Sequence, residues 1–155
     1  MNTKTTPAQA ADALILQVPA QCLLTRARQV SRVVTALYDQ ALRPYGVLSP
    51  QFSLLVMIAL RSPISRSELG RENHQDRSTL TRNLQPLIGA GWVSEAASPD
   101  GGRARPVSIT PQGRALLRRA APAWAAAQQE ARALLGDDGA QALVAIADAL
   151  PSRSP

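Results

Sequence analysis

A single cysteine, Cys22, a single histidine, His74, and a single lysine, Lys4, stand in a chain of 155 residues. One thiol closes no internal disulfide, and one cysteine with one histidine cannot complete a tetrahedral zinc site. A Ser-His-Asp or Cys-His catalytic arrangement would have to use His74, which lies in a polar stretch with no motif around it. Paired catalytic carboxylates and a phosphate-cradling glycine loop are also missing, so the chain reads as a non-enzyme without metal or cofactor. No apolar run approaches the roughly 20 residues of a membrane span. The short run from Ala13 to Val18 is interrupted by Gln17, is followed by Pro19 and lacks a cleavage pattern, so no secretory signal is expected. These absences predict a cytoplasmic protein without membrane contact, in which Cys22 stays reduced.

What is present starts with 45% apolar residues, enough for one buried core. Sixteen of the 17 basic residues are arginine, and they are unevenly placed. Between Arg61 and Arg119 ten arginines face five acids, a local net charge of +5, whereas the rest of the chain has seven bases and six acids, or +1. Replacement of lysine by arginine explains the ratio but not the clustering. A basic middle third is the footprint of a polyanion-binding segment.

Residues 1–20, rich in Thr, Ala, Gln and Pro, read as a mobile N-terminal arm with a short helical turn around Ala8 to Gln17. From Cys22 to Pro44, Leu23, Ala27, Val30, Val34, Leu37 and Ala41 recur every three or four positions, which predicts a long amphipathic helix. A second helix should start at Pro50 behind a Ser49 cap, and its near-continuous apolarity places it centrally. Ser65 and Glu68 have capping-box spacing, flanked by Ile64 and Leu69 as a hydrophobic staple, so a short helix is expected from Arg66 to about Glu72. After the link Asn73-His74-Gln75, Asp76 should cap a helix with the buried stripe Leu80, Leu84, Leu87 and Ile88, kinked or weakened by Pro86.

Trp92 to Ala97 and Ala104 to Ile109 are strand-like runs joined by Ser98-Pro99-Asp100-Gly101-Gly102-Arg103, a hairpin in which Pro106 calls for an edge position or an outward-facing nitrogen. Thr110-Pro111 opens a long helix to about Leu135, in which Pro122 should cause a kink. Its alanine-rich seam suits close packing between helices, including those of a second copy. Asp137 or Asp138 should cap the last helix. The expected fold is mainly α with a small β-hairpin wing. It divides into an arm at 1–20, a dimerisation helix at 21–45, a winged helix-turn-helix at 46–110, and a long helix with a C-terminal helix at 111–155 that completes the dimerisation region.

Two short helices joined by a polar link and followed by a hairpin form a winged helix-turn-helix. The helix beginning at Asp76 presents Arg77, Ser78, Thr79, Thr81 and Arg82, combining hydroxyls for phosphates with a bidentate donor for guanine. Arg66 lies at the start of the preceding helix, and Arg103 and Arg105 at the hairpin tip suit a narrow minor groove. These eight residues are the candidate contacts to double-stranded DNA.

Over about residues 21–150 the chain resembles the MarR family of bacterial transcription regulators. The match is carried by Ser67-Glu68-Leu69-Gly70, by Asp76-Arg77-Ser78-Thr79-Leu80-Thr81-Arg82-Asn83-Leu84, by Gly91-Trp92-Val93, and by Arg103-Ala104-Arg105-Pro106-Val107-Ser108-Ile109-Thr110-Pro111-Gln112-Gly113. The resemblance implies a homodimer with interlocking N- and C-terminal helices, whose two winged domains read a pseudo-palindromic operator as a repressor. One departure is Gly101, where the family's wing has Asp two residues before its minor-groove arginine; Asp100 is one position away. Such proteins respond either to a small aromatic or phenolic anion or to an oxidant acting on a cysteine. For the anion, Arg28 and Arg32 supply charge, with Tyr38, Phe52, Trp92 and Trp124 as aromatic walls. For the oxidant, Cys22 is the candidate, activated by a helix N-terminus and Arg26. A winged-helix module that binds protein and not DNA is the alternative of another class.

Overall fold

A computed structural model of the chain describes residues 7–96 and 105–151. The helices are α1 (Pro7–Gln21), α2 (Leu23–Leu42), α3 (Ser49–Arg61), α4 (Arg66–Glu72), α5 (Arg77–Gly89) and α6 (Pro111–Ala149); the strands are β1 (Ile64–Ser65), β2 (Val93–Glu95) and β3 (Pro106–Ile109). The chain divides into two compact units, Met1–Ala36 and Leu37–Pro155, with the break inside α2. The first holds α1 and most of α2. Where the sequence suggested one helical turn, α1 is a helix of 15 residues, because Ala, Leu, Ile and Gln favour helix and Pro7 stands in the tolerant first turn.

The second unit is built on a core of Leu42, Val47, Phe52, Leu54, Leu55, Ile58, Leu69, Leu80, Leu84, Leu87, Val107 and Leu116. Its first helix, α3, begins differently from expectation. The residue before it is Leu48, whose N–H donates to Gln51 Oε1 at 3.0 Å, and Ser49 N–H donates to Asp39 Oδ1 at 2.7 Å. A carboxylate from α2 thus satisfies a donor that Ser49 was expected to help cap. The capping box at α4 is as the spacing predicts: Glu68 N–H donates to Ser65 Oγ at 3.2 Å and Ser65 N–H to Glu68 Oε2 at 3.1 Å. Replacing Ser65 by Ala should lower stability by about 1 kcal/mol. For a chain of this size that is a fall in Tm of roughly 2–4 °C, which a thermal melt resolves; an unchanged Tm would show that water caps this helix equally well.

The sheet is antiparallel with strand order β1-β3-β2, pairing Ile64 with Val107 and Val93 with Ile109. Its middle strand is the one carrying Pro106, so of the two placements expected for this proline, an edge strand or an outward-facing nitrogen, the edge is not the one adopted. Pro106 is tolerated because it is the first residue of β3, where a missing N–H removes only a terminal bond. Its carbonyl still accepts Ala96 N–H at 3.0 Å.

Helix α5 runs through Pro86 to Gly89, with the proline inside it as expected, and inside α6 the non-helical backbone is at Gly136 (φ 70, ψ 162). The left-handed φ of Gly136 separates segments 111–135 and 137–149, close to where Asp137 or Asp138 was expected to start a new helix. At the other end Thr110 caps α6, its Oγ1 accepting Gly113 N–H at 3.1 Å. Among the described residues no helix is long and apolar enough to cross a membrane.

Candidate nucleic-acid interface

Helices α4 and α5 are joined by Asn73-His74-Gln75. Gln75 N–H donates to Gly70 O at 2.9 Å, and His74 takes a left-handed φ of 50°, a region in which His is enriched among non-glycine residues. The tight reversal lets α5 bury Leu80, Leu84 and Leu87 while its opposite side stays open. On that side Ser78, Arg82 and Gln85 follow the i, i+4, i+7 rule and are exposed, as is Arg77 in the first turn. This is a rigid helix whose outward stripe is polar and cationic, the shape that a major groove admits.

The hydroxyls on α5 are engaged within the helix. Ser78 Oγ donates to Asp76 Oδ1 at 2.6 Å, Thr79 Oγ1 to Asp76 Oδ2 at 2.8 Å, and Thr81 Oγ1 to Arg77 O at 2.8 Å. Thr79 and Thr81 are only half exposed. These contacts brace the helix start. Asp76 accepts Thr79 N–H at 2.8 Å as well, and this set of donors, the Ser78 hydroxyl first, holds its carboxyl well below the usual carboxylate range.

A depressed pKa in the folded state means stability that is present above the unfolded pKa and is lost as pH falls. The Asp76→Asn variant should therefore be less stable than the wild type at neutral pH, with the gap narrowing progressively below about pH 4, where the unfolded carboxylate titrates. Urea midpoints measured at several pH values check this; a gap independent of pH would overturn it.

Arg66 is the candidate contact whose placement differs most from expectation. Its Nε donates to Glu95 Oε1, so its side chain turns to β2. Arg105 is exposed just before β3. Arg103, Gly101 and Asp100 lie outside the described residues.

Of the residues considered for an effector, Arg28 and Arg32 belong to the first unit and Tyr38, Phe52, Trp92 and Trp124 to the second. Phe52 is buried in the core; Trp92 and Tyr38 pack against it, and the Tyr38 hydroxyl donates to Gln128 Oε1. Burial pushes the Tyr38 phenol up in pKa, against a smaller lowering effect of Arg132. Arg28, Arg32 and Trp124 are exposed. Cys22, half-buried between α1 and α2, has its thiol pKa lowered chiefly by hydrogen bonding to the Thr25 side chain and backbone. Arg26 is not the cause, since its guanidinium donates to Gln29 Oε1 and Ala20 O. Among the described residues no group of acids, His and Cys could hold a metal ion.

Three features escaped the sequence reading: the Arg66–Glu95 pair, Asp39 at the start of α3, and the close approach of Gly113 to Trp92. The last had a signal, a glycine inside the first turn of a long helix.

An antiparallel three-stranded sheet behind a helix-turn-helix with an exposed basic recognition stripe defines a winged-helix regulator of transcription. The family model of the MarR family matches residues 45–104. The Mycobacterium tuberculosis transcriptional regulator MosR, solved in complex with DNA, is 34% identical, with 84% of this chain and 100% of that chain covered and a TM-score of 0.68. A cysteine-to-serine variant of Escherichia coli MarR with operator DNA is 25% identical and covers 88% of this chain and 99% of its own, with a TM-score of 0.75. The M. tuberculosis repressor Rv2887 is 34% identical over 92 residues, 59% of this chain and 66% of that protein, so the chain spans just under two thirds of its length. A structure of Rv2887 with p-aminosalicylic acid matches at 28% identity and a TM-score of 0.61, covering 81% of this chain and 95% of that one. This chain belongs to the MarR family; it is a transcription regulator and not an enzyme.

Proposed function

We propose that the chain acts as a homodimer that represses transcription from a pseudo-palindromic operator and releases it on binding a small aromatic anion. The observation that carries the DNA reading is the outward stripe of α5, Ser78, Arg82 and Gln85, set opposite the buried leucines. Exposed apolar residues include Leu14, Ile15 and Leu16 in α1, Leu23 and Leu24 in α2, and Leu143, Val144 and Ile146 in α6. Apolar surface of that extent supports cover by a second copy. Two recognition helices related by a two-fold axis reach half-sites about 10 bp apart. The DNA complexes of MosR and E. coli MarR support the same reading, as does the repressor role named for Rv2887.

For the signal, the p-aminosalicylic acid bound by Rv2887 supports an aromatic carboxylate as the class of effector. Arg28 and Arg32, one turn apart and exposed on α2, offer the counter-charge. Oxidation at Cys22 is a second reading, favoured by the hydrogen bonds that lower its thiol pKa.

The test is selection of bound duplexes from a random pool, with sedimentation of the complex, at two salt concentrations and with p-aminosalicylic acid or peroxide added. A two-fold symmetric motif bound by a dimer is expected, with affinity falling steeply as salt rises because phosphate contacts release counterions. Release by p-aminosalicylic acid supports the effector class; release by peroxide, absent in Cys22→Ser, supports the thiol. Salt-insensitive binding without a motif would replace this reading with that of a protein-interaction module.

A further inference from the structure

The root of the wing is thinly bonded. Strand β1 has two residues and β2 three, and the middle strand begins with Pro106, which has no N–H to give. Opposite Pro106 in the register is Ser65, whose own N–H is committed to Glu68 Oε2 in the capping box. The backbone ladder is therefore weakest where β1 passes into α4 and where β2 and β3 leave toward the wing tip. At this point Arg66, the first residue of α4, reaches Glu95, the last residue of β2, through its Nε and Glu95 Oε1. The pair ties the start of α4, just past β1, to the end of β2. Its side chains are 32% and 19% exposed, against 58% and 37% for Arg61 and Glu72, whose 3.4 Å contact is an ordinary solvated ion pair. Less solvent screening makes the Arg66–Glu95 pair the more effective tie.

Charge makes the arrangement informative. A carboxylate beside a polyanion-binding surface opposes binding, and it also withdraws an arginine that would otherwise be available to a phosphate. Electrostatic affinity therefore gives no reason for Glu95 to be here.

We propose that Glu95 and Arg66 are positioning residues for DNA reading, holding the wing at a fixed angle to the helix-turn-helix so that helix and wing engage their grooves together. This rests on the DNA-binding reading above. It contradicts a role for Arg66 as a phosphate ligand, and the two roles give opposite signs in one variant.

If Arg66 were a masked phosphate ligand, Glu95→Gln would release it. Binding would tighten and the log–log salt slope would steepen by about one contact's worth, near 0.9. If the pair positions the wing, the same variant binds the selected operator about two- to fivefold more weakly, with the salt slope unchanged and minor-groove protection by the wing reduced. In the free protein the Ala96 amide, which closes the hairpin on Pro106 O, should exchange about two- to fivefold faster. The reversed pair, Arg66→Glu with Glu95→Arg, keeps the net charge and should restore both affinity and exchange. Tighter binding by Glu95→Gln, unchanged exchange at Ala96, or faster exchange with undiminished affinity would each overturn the proposal. Failure of the unaltered protein to select a symmetric duplex would sink the DNA reading itself, whereas exchange at Ala96 tests the tie without DNA.

Discussion

Gly113→Ala is expected to destabilise the chain by about 3 kcal/mol or more, the largest effect expected for an added methyl group among the described glycines. A Cβ at position 113 would lie 2.2 Å from the Trp92 carbonyl oxygen, 3.1 Å from its carbon and 2.9 Å from Ile109 Cγ1. A flexible side chain could move aside, but a backbone carbonyl cannot. Trp92 O is also held, because it accepts Thr110 N–H at 3.0 Å. Thr110 in turn accepts Gly113 N–H and donates its hydroxyl to Gly91 O at 2.7 Å, so relieving the clash by shifting α6 breaks its cap and its link to the turn after α5. In a urea titration the midpoint should fall sharply, with a Tm about 6–12 °C lower. A drop of less than about 2 °C would mean that the turn relaxes at little cost. Gly89→Ala is the control: no atom lies within 4 Å of its added methyl, and a helical site should gain about 0.5–1 kcal/mol.

The second large effect is on DNA. Arg82→Ala should cost about 1–3 kcal/mol of operator affinity and relax the preference at one base pair in each half-site, because Arg82 lies mid-helix directly opposite Leu80, Leu84 and Leu87. Arg77 stands in the first turn, where a side chain reaches the backbone of a duplex. Its replacement by Ala should weaken cognate and random sequences alike and reduce the salt slope by about one. Binding isotherms on both duplexes at several salt concentrations separate the two. Equal loss on cognate and random DNA for Arg82→Ala would remove it from base reading. Neither substitution should alter folding, since both side chains are exposed.

What the sequence disclosed follows from how far each signal reaches. Ser65 with Glu68, Asp76, and Thr110 with Pro111 are contained within one helical turn, and each caps the helix that was expected of it. The outward polar face of α5 was legible in the alternation of Leu80 and Leu84 with Ser78 and Arg82. Strand β1 was not: two residues carry no periodicity, and their pairing with Val107 and Pro106 depends on chain far away in sequence. The same holds for Pro106, whose local chemistry left an edge or an outward-facing nitrogen open, while strand order is decided by the packing of three elements. Arg66 was assigned to DNA because a cation in a basic segment has only its neighbours in sequence to explain it; its partner Glu95 stands on another strand. The hydroxyls of Ser78, Thr79 and Thr81 suggested phosphate ligands by type, but Asp76 and a carbonyl one turn back are nearer acceptors.

Helix α6 keeps helical geometry from its Thr110 cap to Gly136, so its first segment is a rod of about 37 Å. One end of that rod is seated against Trp92 with no room for a methyl group, beside the strands that carry the wing. A seat so tight transmits rotation without slack: a tilt of about 5° at the Gly136 end displaces the seat by roughly 3 Å, close to the width of a hydrogen bond. Leverage of this kind would turn a small change of angle at the far end of the helix into a displacement of the strands at its seat.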